Sequence, residues 1–235
     1  MILRVGTLFS GIGAFEEALQ QLQIPYSIQF ACDNGEIELI PLPANERKEY
    51  RELEKRSKSL TEEERNKYLF FREKISSIID DVRTLCYSMP TKKERTDYVN
   101  SLYKKFAPQR FNWVKKAYLQ NYRVNDDDFH TDVRFLKGSD YAGNVDIIVG
   151  GSPCQSFSNY GKKRGLDDTR GTLFYDYARI INESRPKAFI YENVESILTN
   201  DHRRTWEVIS KNTFHIFIYK SFRARLIYDS CIIIK

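Results

Sequence analysis

At 235 residues, with 41% hydrophobic and 14% aromatic content, the chain has material for a substantial core and is too apolar to be disordered. A net charge of +5 permits a nucleic-acid partner without demanding one, and no apolar run approaches the roughly 20 residues of a membrane-spanning helix. Cys32, Cys86, Cys154 and Cys231 lie far apart with no C-x-x-C pair, which suggests neither a disulfide framework nor a zinc site; without a secretory signal pattern, a reducing cytoplasm is expected.

Leu3–Phe9 reads as a short apolar strand, followed by Ser10-Gly11-Ile12-Gly13-Ala14 and a helix beginning at Phe15. Strand, glycine turn and helix form the nucleotide-cradling start of a Rossmann-like unit, where glycines let backbone N–H groups approach a ligand. Two glycines also suit any tight turn, so the pattern alone does not decide. Ile28–Ala31 reads as a second strand ending in Cys32-Asp33. An acid there either hydrogen-bonds ribose hydroxyls or caps a turn.

From Pro43 to Asp128 the composition changes: Lys and Arg outnumber Asp and Glu, β-branched residues are sparse, and glycine is absent. Thr61 with Glu64, and Thr91 with Glu94, match the capping box, while Ile75, Ile78, Ile79, Val82 and Leu85 recur on one helix face. A helical insertion of about three or four helices is expected. Its last part, Tyr98–Asn125, interleaves Lys104, Lys105, Arg110, Lys115, Lys116 and Arg123 with Tyr103, Phe106, Phe111, Trp113, Tyr118 and Tyr122, without an acid. A nucleic-acid strand would suit such a stretch. An amphipathic helix pair with its aromatics inward is the plainer reading and is preferred.

Sheet signals return at Asp132-Val133-Arg134-Phe135 and in Ile147-Ile148-Val149, the composition of a buried parallel strand. Gly150 and Gly151 end that strand, and Pro153 stiffens the turn before Cys154. A thiol thus stands at the carboxyl end of a strand, where open α/β sheets place ligands. A lone Cys there is more often a buried structural residue. Asn159–Gly171 is polar and basic, as a loop closing over an anion would be. Gly171–Ile181 reads as a helix, and Ala188–Tyr191 as a strand with Glu192-Asn193-Val194 at its carboxyl end. One crossover helix makes the two strands parallel, which brings Cys154 and Glu192 to one sheet edge. A thiolate nucleophile beside a carboxyl group that keeps its proton suits conjugate addition to an electron-poor ring.

Taken together, the motifs resemble those of the DNA (cytosine-5) methyltransferases of bacterial restriction–modification systems. Leu8-Phe9-Ser10-Gly11-Ile12-Gly13-Ala14-Phe15 is similar to the family's S-adenosylmethionine-binding motif. Gly151-Ser152-Pro153-Cys154-Gln155-Ser156-Phe157-Ser158 resembles its Pro-Cys motif, Arg170-Gly171-Thr172-Leu173-Phe174 the helix start after the catalytic loop, and Glu192-Asn193-Val194 the Glu-Asn-Val motif. Asp33 falls at the position of the ribose acid, and Asp132, with Val133, at the acid facing the adenine amino group.

The resemblance covers about 1–209 apart from the insertion. It implies an α/β fold, a Rossmann-like S-adenosylmethionine-dependent methyltransferase sheet with a helical insertion. The cofactor-binding and catalytic domain would be discontinuous, 1–42 and 129–212, around an insertion at 43–128, with an atypical tail at 213–235. It also implies a mechanism on double-stranded DNA in the bacterial cytoplasm, with no metal: His130, His202 and His215 are dispersed. A cytosine is swung out of the duplex; Cys154 adds to C6 while Glu192 engages N3, and C5 then takes the methyl group. Pro153 shapes the pocket, Asn193 braces the loop, and Ser158 and Arg170 touch phosphates.

This chain departs from the family pattern in three places. Asn34-Gly35 stand where an aromatic or apolar residue usually lies against adenine, so Ile37 or another residue would substitute. The 43–128 insertion replaces what is typically about one helix. After Trp206–Ile209 the likeness fades, and Arg223-Ala224-Arg225 shares only a spacing with the Gln-x-Arg-x-Arg motif. The expected reading is an N-terminal catalytic portion without a target-recognition domain, inactive alone or dependent on a second chain that carries one. The alternative is an inactive remnant, or one subunit of a split enzyme that binds cofactor or DNA only. A nicotinamide-dependent oxidoreductase is a further class, against which the Pro-Cys and Glu-Asn-Val motifs argue.

Overall fold

The computed structural model describes residues 2–153, 173–194 and 230–234, together with Glu207; Cys154, Ser158 and Arg170 lie outside them. Two compact units are formed, Met1–Gly35 with Asn112–Lys235, and Glu36–Phe111.

The first unit is a six-stranded sheet of β1 (Leu3–Leu8), β2 (Tyr26–Cys32), β3 (Phe129–His130), β4 (Ile147–Gly150), β5 (Ala188–Val194) and β6 (Ser230–Ile234). The strand order is β3-β2-β1-β4-β5-β6, with β6 antiparallel to β5 and the other pairs parallel. The order reverses between β1 and β4, the switch point at which doubly wound sheets open a crevice. Helices α1 (Ala14–Gln21) and α5 (Trp113–Asn121) belong to the crossovers on one side of that switch, and α6 (Leu173–Ser184) to the crossover from β4 to β5. Right-handed connections running in opposite directions put them on opposite faces. The period-two alternation follows. Ala31 packs with Tyr118, Tyr122 and Phe129, whereas Phe30, Cys32, Leu8 and Ile148 join the larger core with Phe174, Tyr177 and Ile181 of α6.

The strands and helices expected from the sequence are present, with three differences. The sheet signal at Asp132–Phe135 is a turn, closed by Phe135 N–H donating to the Asp132 carbonyl at 3.1 Å; the strand is the pair just before it, Phe129–His130. Asp132 cannot continue an extended ladder because Arg134 folds back onto its carboxylate, with N–H···O distances of 2.7–3.1 Å. β5 extends beyond Tyr191 through Val194, because β6, in a stretch with no expected element, pairs with its last five residues. The predicted 43–128 insertion holds α5, which packs on the sheet, as well as the helices of the second unit.

At the edge opposite the carboxyl ends of the strands, Asp146 accepts from Arg4 Nε at 3.0 Å and Nη2 at 2.9 Å, and pairs with Lys187 at 2.8 Å. Those hydrogen bonds, Arg4's first, hold the Asp146 carboxyl well below the usual carboxylate range. β1, β4 and β5 are thereby pinned to one another at their amino-terminal ends.

The second unit contains α2 (Ala44–Lys55), α3 (Glu62–Ser88) and α4 (Lys92–Phe106). Both expected capping boxes form: Thr61 and Thr91 accept from the backbone of Glu64 and Glu94, whose side chains accept in return. The buried face of α3 runs Tyr68, Phe71, Ile75, Ile79, Val82 and Cys86; Leu85 is exposed, and Cys86 takes the place expected for it. Tyr50 stacks on Tyr68 at 5.5 Å between ring centroids, joining α2 to α3. No helix among the described residues is long and apolar enough to cross a membrane.

Candidate active site

The chain leaves β1 through a strained turn. Phe9 has φ 55, Gly11 φ 53 and Gly13 φ 95, so one bulky side chain and two glycines occupy the left-handed region in succession. Ser10 N–H donates to the Cys32 carbonyl at 3.1 Å, and Gly13 N–H to the Ser10 carbonyl at 3.1 Å, which curls the turn over the end of β2. Gly11 N–H donates to Asp33 Oδ2 at 2.9 Å, and Gly35 N–H to Asp33 Oδ1 at 2.7 Å. A carboxylate offers about four lone-pair directions. One that fixes two backbone N–H groups is an acceptor whose place is set by the backbone. A Cβ on Gly11 would meet nothing within 4 Å among the described residues, and Ile12 is 65% exposed. Phe9 packs half-buried against the main core.

The other side of the turn is held by α5 and Tyr122 just after it, a basic and aromatic stretch whose sequence gave no sign of contact with the glycine turn. Tyr122 donates its hydroxyl to the Gly13 carbonyl at 2.8 Å, and a Cβ on Gly13 would lie 2.1 Å from its ring. Gly13 is therefore required twice, for its φ and for the ring against it. Tyr118 donates to Glu16 Oε1 at 2.5 Å, and its hydroxyl stands 3.3 Å from Thr7 Oγ1. Glu16 is 1% exposed, and its Oε2 has no hydrogen-bond partner among the described residues. Burial, then the Glu16 charge, pushes the Tyr118 hydroxyl well above its ordinary value, so it remains a donor. The aromatics of α5 divide, with Tyr118 and Tyr122 inward and Trp113 exposed.

Asp132 is 5% exposed, its carboxylate gripped by Arg134. An adenine amino group reaching it would share that carboxylate with the guanidinium. The Val133 side chain is buried in the core. The loop after β3 is anchored by Arg179 of α6, which donates to the Val133 and Leu136 carbonyls at 2.7 and 2.8 Å and pairs with Asp176 and Glu183. Its i−3 and i+4 acids were the available sequence signal. Cys32 is a core residue. Burial, with Asp132 and Asp33 adding to it, pushes its thiol well up and removes it as a nucleophile.

At the ends of β4 and β5, two glycines let three strands close up. A Cβ on Gly150 would sit 2.3 Å from the Leu8 carbonyl oxygen, and one on Gly151 2.0 Å from that of Glu192. Ser152 is 2% exposed, its hydroxyl 2.7 Å from Tyr191 Oη. Asn193 Nδ2 donates to the Ser152 carbonyl at 2.9 Å and to Tyr191 Oη at 3.1 Å. Pro153 follows, half-buried, as the last described residue before Cys154. Glu192 is exposed, its Oε2 3.2 Å from where a Gly151 Cβ would be. The Glu192 end of β5 and the base of the Pro-Cys loop are thus neighbours. Among the described residues no group of three or more His, Cys, Asp or Glu side chains could hold a metal ion.

A family model described as C-5 cytosine-specific DNA methylase matches residues 104–224 of the chain. The Type II methyltransferase M1.ScrFI of Lactococcus lactis subsp. cremoris is 48% identical over 97 residues, 41% of this chain and 25% of that protein. M.SsoII of Shigella sonnei is 41% identical over 114 residues, 48% of this chain and 29% of that protein. M.HhaI of Haemophilus parahaemolyticus is 46% identical over 82 residues, 35% of this chain and 24% of that protein. The matched segments thus span between 24% and 29% of these relatives' lengths.

Proposed function

The chain belongs to the C-5 cytosine-specific DNA methylase family, and on that premise we propose that it carries the catalytic centre of a DNA (cytosine-5) methyltransferase of the restriction–modification kind. The observation that supports this most is the joining of β5 to the Pro-Cys loop, through Asn193 to Ser152 and through the contact of Gly151 with Glu192. A nucleophile at Cys154 and a carboxyl group at Glu192 would act on one ring.

The cofactor turn suits the nucleoside of S-adenosylmethionine: a Cβ on Gly11 would meet nothing within 4 Å among the described residues, and Asp33 accepts from Gly11 N–H at 2.9 Å. When bound, S-adenosylmethionine supplies an electrophilic methyl group. Phe9–Gly13 would hold its nucleoside end, Asp33 its ribose hydroxyls, and Asp132 and the Val133 backbone its adenine.

The DNA-side residues act in sequence. With the target cytosine out of the stack, Ser158 and Arg170 hold adjacent phosphates and Pro153 shapes the pocket. Cys154 thiolate forms a bond to C6 while Glu192 holds a proton at N3, so the electron pair gathers at C5. Once C5 has been methylated, loss of its proton returns the electron pair, and the sulfur–C6 bond breaks. Asn193 keeps the loop base fixed throughout.

Duplex DNA carrying 5-fluorocytosine tests the reading, because fluorine at C5 cannot leave as a proton and the cysteine adduct persists. A covalent complex with the chain and S-adenosylmethionine, absent in Cys154→Ala, is the expected result. Cofactor binding without any adduct, on DNA containing varied sites, would favour the alternative of a subunit that binds only.

A further inference from the structure

The chain leaves the sheet unit after Gly35 and re-enters it at Asn112, and these two points are clasped together. Asn112 Nδ2 donates to the Asp33 carbonyl at 2.8 Å, and Asn112 Oδ1 accepts from Lys115 N–H at 2.8 Å, capping α5. A Cβ on Gly35 would lie 2.5 Å from Asn112 Oδ1 and 3.3 Å from its Cα. Gly35 has φ +62, so both its conformation and its neighbour demand glycine. Gly35 N–H in turn donates to Asp33 Oδ1 at 2.7 Å. One amide thus reaches the carbonyl of Asp33 directly and abuts the residue whose N–H fixes its carboxylate.

We propose that Asn112 is a positioning residue for the cofactor ribose: it sets the Asp33 carboxylate by gripping the Asp33 carbonyl and backing the Gly35 turn. The inference rests on the reading of Asp33 as ribose acceptor. Its chemistry divides between two atoms. The carbonyl oxygen of Asn112 caps α5, and only the NH2 group reaches Asp33. Asn112→Asp keeps the cap acceptor and removes the donor, whereas Asn112→Ala removes both.

The test uses calorimetry with two probes, S-adenosylhomocysteine and its 2′,3′-dideoxy analogue. The unaltered chain should prefer the hydroxylated probe. Asn112→Asp should lower that preference by about five- to tenfold, the worth of one well-placed hydrogen bond, with little change toward the dideoxy probe. Asn112→Ala should show the same selective loss together with a lower Tm. Equal weakening toward both probes, or no weakening, would overturn the proposal. Asp33→Ala separates the two layers. If it leaves the preference intact, or the unaltered chain binds neither probe, the ribose reading itself fails and takes the proposal with it. If it abolishes the preference while Asn112→Asp does not, only the positioning role fails.

Discussion

The side-chain amide of Asn193 donates to the carbonyl of Ser152 at 2.9 Å, so the strand that ends in Glu-Asn-Val is fastened to the residue two positions before Cys154. Asn193→Ala should leave cofactor affinity near its original value and slow adduct formation on 5-fluorocytosine DNA by about 10²-fold, the scale of a small misplacement of a reacting group. Asn193→Asp, which sets an acceptor against an acceptor, should be slower still. Rapid-quench trapping reads the rate, and an unchanged rate would show that the brace has no bearing on Cys154.

Gly13→Ala should abolish measurable cofactor binding. Its left-handed φ alone costs a side chain about 1–2 kcal/mol, and the Tyr122 ring leaves no room for Cβ. Tyr122→Phe keeps the ring and loses the bond to the Gly13 carbonyl, so it should weaken binding only several-fold, for about 1 kcal/mol. Calorimetry with S-adenosylhomocysteine separates the two.

The buried pair of Glu16 and Tyr118 invites a double-mutant cycle in urea. Tyr118→Phe strips Glu16 Oε1 of its donor inside the protein, a loss of about 1–3 kcal/mol. Adding Glu16→Met removes the stranded carboxylate, and the double variant should be more stable than Tyr118→Phe alone. Simple additivity would show that the two side chains do not share their cost.

Asp146 should make the fold acid-sensitive. Arg4 and Lys187 lower its folded pKa below the unfolded value of about 3.9, so its contribution is fully present above about pH 5 and is lost as pH falls below 4. Asp146→Asn should lower Tm at pH 7, and that difference should shrink toward zero on acidification. A difference independent of pH would assign the stability to packing.

What could be read in the sequence was what is local. The capping boxes at Thr61 and Thr91 form because each needs only residues three apart, and Ile147–Val149 declares its strand by composition. Phe129–His130 gives no such signal, since two residues after an acidic run have no period to detect. The partners of Tyr118 and Tyr122 lie 102 and 109 residues away in sequence, beyond any pattern along α5. Asp132–Phe135 was misleading as a strand start, because the Asp132 carboxylate draws Arg134 back onto it and the chain turns there. Asp33, Glu192 and Asn193 stand at strand ends where their motifs put them; Cys154, Ser158 and Arg170 lie outside the described residues.

The antiparallel pairing of β6 has a bearing on solubility. An uncovered β5 would offer a row of unsatisfied backbone groups, from Ile190 to Val194, to any extended chain nearby. With Ser230–Ile234 laid along it, β5 becomes an interior strand, and at the opposite edge β3 is only two residues long. Removing the last six residues should therefore make the chain self-associate through the strand bearing Glu192, with the edge of β5 paired into the aggregate's own ladder.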